Sequence, residues 1–194
     1  MLLLVSGSLP AQSIKDLLKS SSVKEAISSV VSPSLSATAL QGTWVYEKPA
    51  CELKSDNLLK GAGGSLVSSQ LEKKLEEVCT KAGIDPGKFS YTFNADSTFS
   101  NALPKGKPLK GTYTYDEAGK KLTLHYTLGK KLTVTTLEAD VTRSGENICL
   151  LFNADKLMKL LSMVSSITKS STLQTLNNLA NEYDGILLGF ELKK

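Results

Sequence analysis

Few residues in this sequence combine the type and the spacing that catalysis requires. The single histidine, His125, alternates with leucines along a predicted strand, which places it beside Thr123 and Thr127 on a solvent-facing side. Aspartate, glutamate and serine are plentiful, but no pair of them stands in a context that is diagnostic of acid–base or nucleophilic catalysis. We therefore expect a protein that is not an enzyme.

The glycine-rich and acidic turns lack the features of a phosphate or metal site. The segment 61–64 precedes a predicted helix, but it has neither a parallel strand unit before it nor the Gly-Lys-Ser/Thr ending of a phosphate loop. The turn at 94–97 offers too few oxygen ligands for calcium, and the cysteines have no Cys-x-x-Cys spacing. We expect neither a metal ion nor a cofactor.

The three cysteines form an odd set, so at most one disulfide is available to an exported chain. Cys51 follows the first predicted strand and Cys79 ends the helix after it, and this pair is the preferred disulfide. Cys149 lies inside a predicted strand, where a cysteine usually packs as a small hydrophobic residue.

Composition limits the remaining functions. A chain of 194 residues with 41% apolar content can bury one good core but hardly two. The net charge of +4 is carried by lysines with a single arginine, Arg143, whereas nucleic-acid sites favour arginine for its planar, bidentate geometry. We expect one main domain and no nucleic-acid partner.

The N-terminus predicts export. Residues 1–12 contain an apolar run followed by small residues and Pro10, which is typical of the second half of a signal peptide, with the basic first part missing. No other stretch reaches the roughly 18 apolar residues of a transmembrane helix. Residues 13–39 predict a helix and then a linker from Ser32. The expected location is the periplasm or the cell envelope.

The rest of the chain predicts strands that close around its only tryptophan. Gly42-Thr43-Trp44 opens a first strand that ends at Pro49, and apolar residues at helical spacing predict a helix over 65–82. From residue 88 apolar and polar residues alternate, as in half-buried strands, with a bulge predicted at Thr135-Thr136.

Two helices, over 155–168 and 172–182, precede a last strand at 185–192. A strand that returns after these helices can pair with the first strand and remove the exposed edges of the sheet. We therefore predict a mainly β protein with helices, an antiparallel β-barrel that runs from Gly42 to Leu192.

Aromatic side chains fall on one face of the predicted strands, so closure of the sheet would gather them inside. They are candidate ligand-binding residues, since pockets for small molecules are largely apolar with a few hydroxyl groups. The same side chains would serve equally as a filled core. The set comprises Phe89, Tyr91, Phe93, Phe99, Tyr113, Tyr115 and Tyr126.

Several segments in order resemble an exported lipocalin-like domain family of unknown function from gut bacteria. The resemblance covers roughly residues 40–194 and rests on 42–49, 86–94, 110–115, 150–157 and 184–194. It implies a lipocalin-like barrel with inserted helices and no assigned activity. It also implies structural roles for Gly42 and Trp44, because Gly-x-Trp opens the first strand of such barrels and the ring plugs the barrel floor. Lipocalins often place an arginine across this tryptophan, whereas this chain ends in Lys193-Lys194.

Two functions are compatible with these features. The first is a non-enzymatic exported protein that binds a small apolar molecule or lipid in the barrel. The second is a cell-envelope interaction module that has a filled barrel and uses its outer surface. The sequence leaves the ligand and the oligomeric state open.

Overall fold

A computed structural model describes residues 35–54, 64–103, 107–128, 132–164, 174, 176, 178 and 185–194. The helices are α1 (Ala37–Leu40), α2 (Gly64–Ala82) and α3 (Ala154–Val164). The strands are β1 (Gly42–Leu53), β2 (Ser90–Phe93), β3 (Thr98–Ala102), β4 (Leu109–Asp116), β5 (Lys121–Leu128), β6 (Leu132–Ser144), β7 (Asn147–Asn153) and β8 (Ile186–Lys193).

The eight strands form a closed barrel in which each strand pairs antiparallel with its neighbours in sequence. Closure comes from β1, which pairs with β2 at its start (Trp44↔Tyr91) and with β8 along most of its length (Pro49↔Phe190). The predicted fold class is confirmed. The barrel has two unlike ends: a floor end with the start of β1 and the β2–β3, β4–β5 and β6–β7 turns, and a helical end where α2 and α3 connect strands.

The first strand continues through Pro49, so the prediction that Pro49 ends it is wrong. Tyr46 pairs with Leu192 and Lys48 with Glu191, which leaves Glu47 as an extra residue in a β-bulge. A proline cannot donate to the ladder, and it is tolerated next to such an irregularity.

A second bulge bends β6. Tyr126 pairs with Thr135 and Thr127 with Thr133, so Val134 is the extra residue. The predicted bulge is therefore present but lies one residue before Thr135-Thr136. Bulges of this kind help a sheet curve into a barrel.

Helices α2 and α3 add to the barrel core. Leu71, Leu75 and Val78 of α2 recur on one face and are buried, and the helix stops before Gly83, which has a φ of 76°. The prediction for 65–82 is confirmed. Helix α3 begins at Ala154 and is described to Val164, so the last residues of the predicted helix 155–168 lie outside the described residues. The predicted helix 172–182 is described only at residues 174, 176 and 178, which are helical.

The end of the predicted linker forms a short helix instead. Ser36 caps α1, because its side-chain oxygen accepts a hydrogen bond of 3.1 Å from the backbone N–H of Ala39. The backbone N–H of Ala37 donates to the Glu117 carboxylate at 2.5 Å, which ties α1 to the β4–β5 turn. The predicted signal peptide and N-terminal helix lie outside the described residues.

The side chains of the barrel interior, α2 and α3 form one apolar core, as the strand and helix periodicities require. A smaller apolar cluster lies on the opposite face of β1, β7 and β8, which is the outside of the barrel. Its members are Ala50, Cys149, Leu151 and Leu187. Cys149 thus packs as a small hydrophobic residue.

Asp140 organises the charged groups beside this outer cluster. Its carboxylate accepts hydrogen bonds from both Lys54 and Lys121, and Lys121 also lies 3.6 Å from Glu138. Burial raises the pKa of Asp140, but the hydrogen bonds and charges of the two lysines outweigh it, so the pKa lies below its ordinary value. Asp140 is therefore an anionic link between β5, β6 and the end of β1.

Candidate functional site

The barrel interior is lined by aromatic rings in direct contact. Phe89, Tyr91, Phe93, Phe99 and Tyr126 are each at most 2% exposed. Tyr91 and Phe93 stack with ring centroids 5.7 Å apart, and Phe99 meets Tyr126 edge to face at 5.0 Å. With Tyr113, whose ring contacts Phe93, six of the seven predicted residues are joined by ring contacts, and Tyr115 packs against the same core.

Gly111 makes room for this packing. It pairs with both Phe99 and Tyr126 in the sheet and faces inward. A Cβ atom at this position would lie 2.7 Å from Cε1 of Phe99 and 2.0 Å from the carbonyl oxygen of His125. The absence of a side chain therefore lets the Phe99 ring lie against the wall of the barrel.

Tyr113 and Tyr115 hold the floor end through their hydroxyl groups. The hydroxyl of Tyr113 donates to the Asn94 carbonyl at 2.9 Å, and that of Tyr115 donates to the Leu35 carbonyl at 3.0 Å. Both acceptors lie at the floor end, in the β2–β3 turn and just before α1. The Tyr113 ring still contacts Phe93, with centroids 5.1 Å apart. The hydroxyl groups of these two tyrosines thus anchor the floor, and their part in ligand binding stays a prediction.

The hydroxyl groups of Tyr91 and Tyr126 meet inside the barrel at 3.3 Å. Burial raises the pKa of Tyr91 to about 12, although the nearby Tyr126 hydroxyl and Asn101 amide partly offset that rise. Burial also raises the pKa of Tyr126 well above its ordinary value, and Tyr91 raises it further. Both phenols are therefore neutral at physiological pH and can donate as well as accept hydrogen bonds.

Two polar residues that the sequence did not single out lie next to this tyrosine pair. Asn101 is fully buried and pairs across the sheet with Tyr91, while Thr135 is 6% exposed and pairs with Tyr126. Neither the amide oxygen nor the amide nitrogen of Asn101 has a hydrogen-bond partner, and the Thr135 hydroxyl has none either. The amide lies beside the Tyr91 hydroxyl without the geometry of a hydrogen bond.

A signal for Asn101 does exist in the sequence. Asn101 follows Phe99 by two residues, so strand alternation places an amide at an inward position, and asparagine is depleted in strands. A buried polar group without a partner costs about 1–3 kcal/mol. These groups therefore mark the interior as the candidate site.

The helical end buries Tyr46 and Cys79 and partly buries Cys51. Tyr46 meets Phe190 edge to face, with ring centroids 5.6 Å apart. Burial, and then the adjacent Cys79 thiol, raise the pKa of the Tyr46 phenol far above its ordinary value. Burial likewise raises the pKa of the Cys79 thiol to about 12 and that of the Cys51 thiol to about 12. None of these groups is poised as a nucleophile.

The predicted disulfide between Cys51 and Cys79 is absent, since both cysteines are free. Cys51 lies against Ser68 and Glu72, whereas Cys79 contacts Tyr46 further along α2. At about 1.5 Å of rise per residue, the seven positions between Glu72 and Cys79 separate the two contact points by roughly 10 Å. Cys51 therefore packs against an earlier turn of α2 than the turn that carries Cys79.

The floor end is closed around Trp44. Its ring is 2% exposed, and its indole N–H donates to the Leu40 carbonyl at 2.7 Å. The ammonium of Lys194 lies 5.2 Å from the ring centroid and also donates to the Ala39 carbonyl at 3.0 Å. Gly42 has a φ of 112°, and a Cβ atom there would lie 3.0 Å from Cε of Lys194. Lys194 thus lies across the ring of Trp44, where lipocalins often place an arginine.

The only histidine, His125, lies on the outer face of the barrel beside Thr136. Nδ1 of His125 lies 3.0 Å from the Thr136 hydroxyl on the outer face, which agrees with its predicted position. Within the described ranges, no group of three or more His, Cys, Asp or Glu side chains could hold a metal ion. Among the described helices none has the length and apolarity needed to cross a membrane.

A polar depression of about 450 Å³ lies on the outside of the barrel. Lys54, Lys121 and Asp140 form part of its wall, together with Lys156 and Asn153 near the start of α3. This depression is separate from the aromatic interior, because its strand residues occupy the opposite face of the sheet.

The closed antiparallel barrel, with Gly42 and Trp44 at its floor, defines a lipocalin-like protein. The chain belongs to the lipocalin-like domain family DUF4923, whose profile matches residues 14–194. This match confirms the family resemblance and extends beyond the range 40–194. No curated protein matches the chain. The crystal structure of a DUF4847 family protein from Bacteroides vulgatus ATCC 8482 is similar at 13% identity and a TM-score of 0.36, covering 77% of this chain and 91% of that chain.

Proposed function

We propose that this protein is a non-enzymatic binding protein that holds a small, largely apolar molecule inside its barrel. The observation that carries the proposal is the side-chain amide of Asn101. This amide is buried among aromatic side chains and has no hydrogen-bond partner. Native proteins satisfy most buried polar groups, and small-molecule sites combine apolar walls with a few polar groups. A bound molecule would supply the missing partner and use the rings as its walls.

The test is titration with a neutral apolar dye and a fluorescent fatty-acid analogue, followed by fluorescence. Thr135→Leu adds volume inside the barrel, while Thr136→Leu makes the same change on the outer face of the same strand. We expect one dye molecule per chain to bind the wild type below roughly 100 μM, equivalent to about −5.5 kcal/mol. Thr135→Leu should weaken this binding, and Thr136→Leu should leave it unchanged. If no probe binds the wild type below that concentration, the carrier function should be abandoned.

Export is part of the proposal and is supported by the sequence. The apolar residues of segment 1–12 and the small residues that end it at Ala11 have the features of a cleaved signal peptide. The proposed location is the periplasm or cell envelope. N-terminal sequencing of the natural product should find its first residue soon after Ala11. A cytoplasmic product that retains Met1 would contradict this location.

The contacts between interior rings favour a second function. If those rings fill the barrel, the protein would act as a cell-envelope interaction module through its outer surface, where the depression beside Asp140 is the candidate contact region. The titration distinguishes the two functions, because a filled barrel binds no apolar probe at any position inside.

A further inference from the structure

We infer that the barrel interior selects a molecule with an uncharged head group that both donates and accepts hydrogen bonds, such as a primary amide, attached to an apolar body. This inference rests on the proposed function and specifies the ligand. It follows from the position of four polar side chains, from the bonds they leave unmade, and from the position of the charges in the described part of the chain.

The four polar side chains lie near the helical end of their strands. Asn101 is the second-last residue of β3 and Tyr91 the second residue of β2, and these two are paired. Tyr126 lies near the end of β5 and is paired with Thr135 near the start of β6. The contact between the Tyr91 and Tyr126 hydroxyls joins the two pairs. We call these four residues the polar cluster.

The unmade bonds of the polar cluster include both donors and acceptors. The Asn101 amide has two N–H donors and a carbonyl acceptor, and the Thr135 hydroxyl can do either. All of these atoms are buried and unpartnered. A head group that only accepts would leave the carbonyl of Asn101 unsatisfied, and one that only donates would leave its N–H groups unsatisfied. A primary amide complements both, because it carries the same two kinds of group.

The buried carboxylates of the described residues lie outside the barrel interior. Asp140 and Glu191 are the buried carboxylates among these residues, and each already has a lysine, Lys121 for Asp140 and Lys48 for Glu191. In the sheet register both project from the outer face. No described Lys or Arg belongs to the buried aromatic core to balance a bound carboxylate, and no described Asp or Glu belongs to it to balance an ammonium. Glu72 of α2, whose pKa is raised by burial, lies beside Cys51 at the helical end and not among these aromatic rings. Burial without a counter-charge disfavours either ion, so a neutral head group should be preferred.

The test compares dodecanamide, dodecanoate and dodecane as competitors for the bound neutral dye at neutral pH. These probes share an apolar chain and differ in the head group. We expect wild-type protein to bind dodecanamide about tenfold more tightly than dodecanoate or dodecane, which is the effect of one net hydrogen bond or more. Asn101→Leu keeps a similar volume and removes the amide, so it should abolish the preference while leaving dodecane binding intact. Ser100→Leu, on the outer face of the same strand, is the control and should retain the preference.

Each outcome bears on the inference separately from the proposed function. Equal binding of all three probes, or a preference that survives in Asn101→Leu, overturns the inference and leaves the carrier function standing. Tighter binding of dodecanoate also overturns it. Failure of every probe overturns the carrier function as well. If Asn101→Leu does not fold, Thr135→Val, which removes only a hydroxyl, replaces it; the preference for dodecanamide should then fall severalfold, and an unchanged preference counts against the inference.

Discussion

Removal of the Trp44 side chain tests whether the floor stabilises the barrel as the structure indicates. Trp44 is the only tryptophan, its ring is 2% exposed, and its indole N–H donates to the Leu40 carbonyl at 2.7 Å. Trp44→Ala deletes the ring and this hydrogen bond together. Trp44→Phe keeps an aromatic ring but still removes the donor, so the two variants separate the contribution of packing from that of the hydrogen bond.

The expected magnitude follows from burial. A tryptophan of this kind buries about 150–250 Å², which at about 25 cal/mol per Å² corresponds to roughly 4–6 kcal/mol of apolar transfer. Part of this is recovered when the site relaxes, so Trp44→Ala should lower the free energy of unfolding by about 3–5 kcal/mol. Trp44→Phe should lower it by about 1–3 kcal/mol, mainly because the Leu40 carbonyl loses its partner.

Urea unfolding followed by far-UV circular dichroism is the appropriate assay, since both variants lose the tryptophan fluorescence that would report on the wild type. The change should appear in the midpoint with a similar m-value. A loss below about 1 kcal/mol for Trp44→Ala would mean that the ring is not packed in the floor, and the assignment of the floor end would then be wrong.

Three further outcomes test other parts of the structure. Asp140→Asn should lower the free energy of unfolding by about 1–2 kcal/mol at neutral pH. Because the pKa of Asp140 is depressed in the folded protein, the difference between wild type and variant should be complete above about pH 3.9, the ordinary pKa of an aspartate. It should disappear as the pH falls through the folded pKa. In an absorbance titration, Tyr91 and Tyr126 should remain protonated at pH 10, where an unfolded tyrosine is half ionised, so stability should fall as the pH rises above about 10. Ser68→Cys places a thiol beside that of Cys51, so oxidation should form a disulfide that links α2 to β1. This link should slow the exchange of bound dye, and a reductant should restore the rate. Unchanged exchange in the linked protein would exclude movement of α2 during entry of the dye.

The inward-facing aromatic residues of the barrel could be predicted from the sequence, because side chains along a strand alternate between its two faces. This period assigned the aromatic set to one face, and closure of the sheet turned that face inward. The predictions that β1 ends at Pro49 and that the residues of α1 form a linker were wrong for a shared reason. Both depend on tertiary contacts: the bulge at Glu47 accommodates the proline, and Glu117 of the β4–β5 turn holds the start of α1.

The candidate site was predicted only in part, because alternation gives the face of a residue but not its height along the barrel axis. Tyr113 and Tyr91 both face inward, yet the Tyr113 hydroxyl reaches the Asn94 carbonyl at the floor end and the Tyr91 hydroxyl reaches Tyr126 nearer the helical end. The height depends on the stagger of hydrogen-bonded partners around the barrel. Strand alternation places Asn101 on the inner face, but the lack of a hydrogen-bond partner for its amide is visible only in the three-dimensional structure.

The two ends of the barrel differ in how completely their polar groups are satisfied. At the floor end, Trp44, Tyr113 and Tyr115 each donate to a backbone carbonyl, so closure there is complete without any additional molecule. Towards the helical end, the buried side chains of Asn101 and Thr135 keep unmade hydrogen bonds among aromatic rings. A floor with all these bonds made resists opening, because each bond broken in a low-dielectric interior must be replaced. In the proposed function a bound molecule would make the bonds that the polar cluster lacks, so we expect it to enter from the side of α2 and α3, where the floor contacts need not be broken.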